Sequence, residues 1–508
     1  MVDMTDPSQR DVVDFLSSPA AHDGAPAERI DTHLSHVFLA GARVYKIKRA
    51  VRYDFADFST LALRRRACEN EVRVNRRTAP AMYLRAVPLY RTETGVGWRG
   101  SGAPVEWAVE MARFAVQDRF DILLADGKLG EAAIKTLADK IADFHQDAER
   151  KTDFRPGGGV ARTLDQLSAA LHGAAIGRTR ERDIAKWTAI AFAAYEKNAR
   201  LLETRRRLGW ARHCHGDLHL GNICMFNGAP TPFDAIEFND DLSDIDVLYD
   251  LAFVLMDLTR QGRGDLAALL RDRYLSATRD YGGLALLPLF QSMRAAVRAM
   301  VSGLPGQPDA ALRGADGYLD LALDFLTPRA APALIAVGGY SATGKSTVAR
   351  RLALALRGAT VMRSDVVRKR LQGRAPEERL GDAHYAAGET GAVYRRLFKD
   401  ARRALRAGSP VILDATFLDD ALRAEAQDAA QRAGVPFHGL WLTAAREVLA
   451  DRIVKRLDGA SDATLSVLEK QLDHAVEPQG WGVIDAGSAP DDVFRQALEQ
   501  LEISPHEQ

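Results

Sequence analysis

At 508 residues the chain is too long for one hydrophobic core, and a prior of roughly 150 residues per domain asks for two to four. Lys+Arg and Asp+Glu both number 68, and this zero net charge speaks against a dedicated nucleic-acid binder, which would carry a basic excess. Hydrophobic content of 47% supports sizeable cores, while no uninterrupted apolar run reaches about 18 residues, so no membrane span is expected.

The N-terminus, Met1-Val2-Asp3-Met4-Thr5-Asp6-Pro7, is acidic and lacks an apolar segment, so no secretory signal is expected. Residues 11–30 read as a short helix and a loop rich in Ala, Pro and Gly. Two β-favouring segments then flank Ala40-Gly41-Ala42 and predict a hairpin over 35–48. Alternation places Val44, Lys46 and Lys48 on one face of it, Tyr45 and Ile47 on the other. The pattern from Ser59 to Arg77 is helical, and its many charges, Glu69 and Glu71 among them, read mostly as a solvated face. Strands are expected over 80–99 and 105–114, then helices over 134–149, 160–172 and 181–206, with Gly157-Gly158-Gly159 as a loop. The three cysteines, Cys68, Cys214 and Cys224, lack C-x-x-C spacing and fit neither a disulfide framework nor a zinc site. They read as small buried residues in a reducing, cytoplasmic compartment.

His215-Gly216-Asp217-Leu218-His219-Leu220-Gly221-Asn222 reads H-G-D-x-x-x-x-N. That spacing suits a catalytic loop in which Asp217 accepts the proton of an attacking hydroxyl and Asn222 turns back to a Mg²⁺ that neutralises phosphates. A polar turn between two strands is the plainer alternative. The next segment favours catalysis, because residues 231–238 are expected to form a strand ending in acidic groups, where a second metal ligand belongs. Alternation sets Asp234 and Glu237 on opposite faces, so one acid faces the nucleotide; Glu237 is the expected ligand, Asp234 the alternative. Amphipathic helices continue over 259–326, and two prolines, Pro328 and Pro332, mark a linker.

The segment around Asp217 resembles the catalytic core of the aminoglycoside phosphotransferases and choline kinases, which share the protein-kinase-like fold. The resemblance implies a two-lobed N-terminal kinase domain. In it Lys46, or else Lys48, contacts the nucleotide phosphates, and Glu71, or else Glu69, orients that lysine. Residues 105–114 would supply the strand and hinge that bind adenine through backbone groups. Asp246 and Asp250, in a D-x-x-x-D-L-A segment, would brace the catalytic loop. The family usually carries Asp where this chain has Glu237, whose longer arm shifts the metal or lets Asp234 take over.

Further on, an apolar run over 333–338 feeds into Gly339-Tyr340-Ser341-Ala342-Thr343-Gly344-Lys345-Ser346, which is G-x-x-x-x-G-K-S, and then into a helix from Thr347. Backbone N–H groups of the Gly339–Gly344 loop and of the helix start at Thr347 would cradle the β-phosphate. Lys345 would bridge β and γ, and Ser346 would hold Mg²⁺. After a second strand, Asp365 can deprotonate an acceptor hydroxyl, and Arg368, one helical turn on, can hold an anionic acceptor; Asp365 is equally suited to cap the helix. Residues 410–417 form an apolar strand pattern ending in Asp414, which would support the Mg²⁺ shell. Arg446, Arg452 and Arg456 lie on a predicted helix, the last two spaced i,i+4, and Asp458-Gly459-Ala460-Ser461-Asp462 comes next as a loop.

This half resembles the P-loop kinases that include gluconate kinase, zeta toxins, chloramphenicol phosphotransferase and polynucleotide 5′-kinases, the D-x-x-R at 365–368 being most like the last. The resemblance implies that Arg452 and Arg456 sit on a lid closing over the transferring phosphoryl group. The order of the two halves resembles a bacterial family of fused kinases. Expected, then, are a kinase-like domain over 1–326, a linker over 327–332 and a doubly wound parallel α/β domain over 333–508. The expected activity is a bifunctional, cytoplasmic kinase using ATP and Mg²⁺ on hydroxyls of small molecules such as a sugar, an amino alcohol or an aminoglycoside-like acceptor. No membrane or nucleic-acid partner is expected. A single kinase with a nucleotide-sensing P-loop domain and a nucleic-acid 5′-end kinase are the alternatives.

Overall fold

A computed structural model of the chain describes residues 6–53, 56–152, 158–303, 309–327, 330–378, 380, 387–455, 464–474 and 478–502. Its contacts divide the chain into two units: Met1–Gly173 with Ala199–Leu258, and Ala174–Asn198 with Thr259–Gln508.

In the first unit the expected hairpin forms as β2 (Ser35–Ala40) and β3 (Arg43–Lys48), after β1 (Ala27–Asp31). A short ladder, β4 (Arg52–Tyr53) with β5 (Ala56–Asp57), comes after it. Strands β6 (Tyr83–Thr92), β7 (Gly95–Gly97) and β8 (Pro104–Ala112) complete an antiparallel sheet ordered β1-β2-β3-β8-β6-β7. Both faces of this sheet are covered. Helix Leu61–Asn75 lays Cys68 and Val72 against Leu39, Val44, Tyr83, Val109 and Met111. Helix Arg10–Ser17 lays Val12, Val13 and Leu16 against Phe38, Ile47, Leu89 and Ala108 on the other side. Each such buried side chain is worth about 1.5–3 kcal/mol, so the short N-terminal helix is part of the core.

Helix Leu61–Asn75 departs from its expected solvated character. Arg64, Cys68, Glu71 and Asn75 share one buried stripe at helical spacing, and Arg64 is tied to the buried Glu106 at 2.9 Å. A second difference lies at residues 231–238. Strand β9 (Ala211–His213) leads into the H-G-D loop, β10 (Ile223–Phe226) pairs with β11 (Ala229–Pro232), and β12 (Asp244–Asp246) returns beside β9. Strand β11 ends at Pro232, and Asp234 sits in the left-handed region at φ 60°. Strand alternation therefore does not hold over Asp234 and Glu237, and both acids reach lysines on one side.

The second unit is built on a parallel sheet of β13 (Leu334–Gly339), β14 (Thr360–Arg363), β15 (Val411–Asp414), β16 (Phe437–Thr443) and β17 (Gly482–Asp485), ordered β14-β15-β13-β16-β17. The strand entering the P-loop is central, and helices Lys345–Ala355 and Pro490–Gln500 close one face through Val348, Leu352, Val493 and Leu498. Edge strand β14 is bordered by helix Gly264–Thr278: Arg271 donates to Gly358 O and Ala359 O, and Asp272 Oδ2 accepts from Val361 N at 3.1 Å. Helix Gly264–Thr278 thus packs with the P-loop sheet, in the unit that begins again at Thr259. Further along, Tyr281–Ser302 is long and apolar enough to cross a membrane, at mean hydropathy 1.2, yet 67% of that window is buried in the fold.

Candidate active sites

The first site is built where β3, helix Leu61–Asn75 and the segment after β11 converge. Lys46 and Lys48, two residues apart on one face of β3, both pair with Glu71, at 2.9 and 2.6 Å. Lys46 also meets Asp234 at 2.7 Å, and Lys48 meets Glu237. The two rungs differ in exposure: the Asp234 side chain is 43% exposed, whereas Glu237 and Lys48 are buried. Burial alone would raise the Glu71 carboxyl, but the ammonium groups of Lys46 and Lys48 hold it down at about 2. Burial likewise opposes the charge on Lys46, and Asp234 with Glu71 overcomes it, so that pKa lies well above the ordinary lysine value. Glu237 is pushed up by burial, the nearby Glu71 adding to it against Lys48. Glu69, the alternative to Glu71, spends its carboxylate on Arg65 at an exposed position.

The H-G-D loop holds its shape through backbone-directed bonds. Gly216 has φ 85°, and a Cβ there would stand 3.0 Å from both Ile236 Cδ1 and Leu242 O, so the H-G-D glycine is required. Asp250 accepts from His215 N at 3.0 Å and Gly216 N at 2.9 Å, the bracing expected of it, and faces His145 at 3.1 Å. Asp246 instead pairs with Arg205 at 2.7 Å. Burial lowers the His215 pKa, and its Nε2 donates to Phe233 O at 3.0 Å, so a neutral imidazole ties the loop to the residue before Asp234. Asn222 Nδ2 donates to Asp217 Oδ2 at 2.8 Å and to Asp217 O at 3.0 Å. Asn222 Oδ1 and the Asp234 carboxylate offer hard oxygens, the kind that suits Mg²⁺.

The second site forms around the loop after β13. Gly339 has φ 132° and a Cβ there would stand 2.3 Å from Leu442 O, so only glycine fits against β16. Gly344, at φ 88°, precedes helix Lys345–Ala355, whose first turn carries Ser346 and Thr347 and points N–H groups out of its N-terminus. Lys345 Nζ donates to Tyr340 O at 2.6 Å. Ser346 Oγ donates to Asp414 Oδ2 at 2.5 Å, and Arg363 Nε donates to the same oxygen at 3.0 Å. The hydroxyl and carboxylate expected to share a Mg²⁺ thus stand together at the ends of helix and strand, again as hard oxygens. Asp365 is raised by burial, Arg363, Asp414, Lys345 and Arg368 being the charges that bear on it. Arg368 is buried and reaches Thr390 Oγ1 at 3.4 Å. Arg452 reaches Ala342 O at 3.5 Å and Ala486 O at 2.9 Å, while Arg446 pairs with Glu469. Arg456 and residues 458–462 lie outside the described residues.

Several residues that shape these candidate sites are not evident from sequence alone. Asn75, four residues after Glu71 and fully buried, accepts from Ala235 N at 2.7 Å and donates to Glu71 O at 3.0 Å. Tyr83 Oη accepts from Asp234 N at 3.0 Å, so the left-handed residue is held from both sides. The i,i+4 spacing from Glu71 was the available signal for Asn75; Tyr83 and Arg363 sit on strands where nothing local marks them.

A phosphotransferase enzyme family model matches residues 60–287, and an AAA domain model matches residues 334–478. Among solved structures, the chain is similar to a choline/ethanolamine kinase family protein from Mesorhizobium loti, at 13% identity over 63% of this chain and 95% of that one, with a TM-score of 0.38. It is also similar to a gluconokinase from Sinorhizobium meliloti 1021, at 24% identity over 34% of this chain and 94% of that one, with a TM-score of 0.26. Among curated proteins, it is 33% identical to the uncharacterized proteins Rv2004c of Mycobacterium tuberculosis and Mb2027c of Mycobacterium bovis, over 86% of this chain and 88% of theirs. The chain belongs to the family of those mycobacterial proteins, and it is a kinase-type phosphotransferase in which a phosphotransferase-family region is followed by a P-loop kinase region.

Proposed function

We propose that the chain carries two separate ATP-dependent kinase sites, each moving a γ-phosphoryl group to a hydroxyl of a small molecule. One observation supports this most: each unit holds, within itself, a phosphate-directed lysine, hard-oxygen metal donors and an acid for the acceptor. In the first unit these are Lys46, Asn222 with Asp234, and Asp217. In the second they are Lys345, Ser346 with Asp414, and Asp365.

In the first site Asp217 accepts the acceptor's proton while Asn222 fixes its carboxylate, and Lys46, oriented by Glu71, meets the phosphates. We assign the second metal ligand to Asp234, the alternative the sequence left beside Glu237. Asp234 is the half-exposed acid, whereas Glu237 is buried against Lys48. In the second site Asp365 accepts the acceptor's proton, Arg368 holds an anionic part of the acceptor, and Lys345 with Arg452 neutralises charge. Mg²⁺, bound with ATP, would be held by Asn222 and Asp234 in the first site and by Ser346 and Asp414 in the second, and would offset the charge that develops on the phosphates. We place the protein in the cytoplasm, where its three buried cysteines stay reduced.

The test is a screen of the full-length chain with γ-labelled ATP against sugars, amino alcohols, aminoglycosides, nucleosides and oligonucleotides. Label on a small hydroxyl compound is the expected result. Label confined to oligonucleotide 5′-ends would replace this reading with a nucleic-acid kinase.

A further inference from the structure

We infer that Gln471 is a positioning residue of the P-loop site, acting on Lys345 through the Tyr340–Ser341 peptide. The inference rests on the proposed P-loop kinase site and names a residue which that proposal does not use. Gln471 lies 130 residues from the loop, on helix Leu465–His474, and its Oε1 accepts from Ser341 N at 2.8 Å. The carbonyl of the same peptide, Tyr340 O, accepts from Lys345 Nζ at 2.6 Å and from Thr343 Oγ1 at 2.8 Å. One peptide plane is therefore gripped at its N–H by Gln471 and at its C=O by the lysine that serves the phosphates. Turning that plane over would aim an N–H at the ammonium, a repulsion, and would leave Gln471 Oε1 facing a carbonyl oxygen. An acceptor at position 471 selects the orientation in which Lys345 has an oxygen to rest on.

Gln471 is itself held. Leu468, one turn earlier on the same helix, is fully buried, and Glu469 pairs with Arg446 on helix Arg446–Val454. That second helix carries Arg452, whose guanidinium reaches Ala342 O at 3.5 Å. Two adjoining helices thus hold two successive groups of the P-loop, Ser341 N and Ala342 O. The base of the loop has packing of its own. Gly339 packs directly on Leu442 O, and the Tyr340 ring lies edge-on to Trp441 at 5.6 Å between centroids. What the Gln471 bond adds is the orientation of the peptide beside the ammonium.

The experiment measures ADP and phosphate formation from ATP, with water taking the γ-phosphoryl group, by the full-length chain in an Asp217→Asn background, so that turnover reports the P-loop site. Gln471→Leu, similar in size but without an acceptor, should lower kcat about tenfold while KM for ATP stays within about twofold and Tm is unchanged. Gln471→Glu, which keeps an oxygen acceptor of the same reach, should recover most of the lost kcat. A Gln471→Leu chain with the parent kcat would overturn the inference. So would one whose loss of rate is matched by a fall in Tm and recovered by no acceptor, which is the mark of a structural clasp. Lys345→Met separates the two levels. If it spares turnover, the P-loop reading fails and the inference falls with it; if it abolishes turnover, the Gln471 result stands alone.

Discussion

Glu71 is fully buried between two ammonium groups, and its depressed pKa sets the sign of its contribution. Folded, it titrates near 2 against an ordinary 4.5, so its stabilisation is complete above about pH 4.5 and is lost as pH falls through the folded value. Glu237, raised by burial, has the opposite sign: its share is present below the ordinary carboxylate range and is lost as pH rises through its folded pKa. Glu71→Gln should therefore flatten the fall in Tm between about pH 5 and about pH 3; an unaltered slope would contradict the assignment. The neighbouring acids should separate by function. Asp234→Asn should lower the rate at the first site and raise its Mg²⁺ requirement. Glu237→Gln should act mainly on stability, at about 3 kcal/mol or less because Lys48 keeps Glu71. Mg²⁺ titrations of activity with both variants check this, and a reversed pattern would return the metal to Glu237. The shared face of Lys46 and Lys48 and the placing of Asp217 and Asn222 on one loop were legible because hairpin alternation and motif spacing are local. Glu71 was reached only through the family resemblance, its helix having read as a solvated face. The Asp234 turn was not legible, because a single left-handed residue ends the alternation, its own N–H held by Tyr83 from 151 residues away and that of Ala235 by Asn75 from 160.

Among elements, edge strand β14 shows how side chains can stand in for a missing strand. Its outward groups, Ala359 O and Val361 N, are met by the Arg271 guanidinium and the Asp272 carboxylate, which also pair with each other at 2.8 Å. Two further ion pairs, Arg273 with Glu377 and Arg279 with Asp400, both at 2.7 Å, fasten the same region. Burial raises the Asp272 pKa, so this carboxylate is held at a cost that its partners offset. Asp272→Ala should leave Val361 N without its acceptor and destabilise the second unit by about 1–3 kcal/mol, measured by urea unfolding. A chain beginning at residue 333 should aggregate through the bared edge, and one beginning at residue 259 should not; equal solubility of the two would contradict the capping role. Helix Gly264–Thr278 was legible as an amphipathic helix. The core it joins was not, since Gly358, Ala359 and Val361 lie 87 to 89 residues further along.

For the whole molecule, the sequence motifs and the compact units partition the chain differently. The P-loop motif and its parallel sheet were readable as strand, loop and helix in succession, and H-G-D-x-x-x-x-N placed the other site. Packing then groups residues 174–198 and 259 onward in one compact unit with the P-loop sheet, an allocation that depends on contacts distant in sequence. Activity is for this reason best apportioned in the intact chain. The most direct measurement is the labelled-product profile from γ-labelled ATP with the full-length protein and its Asp217→Asn, Asp365→Asn and doubly substituted forms. Two kinase sites predict that each single substitution removes a different set of products by about 10²–10⁴ and that the double form makes none. A profile untouched by Asp365→Asn, together with a Lys345→Ala chain whose Asp217-dependent products change, would contradict it and leave one kinase governed by a nucleotide sensor.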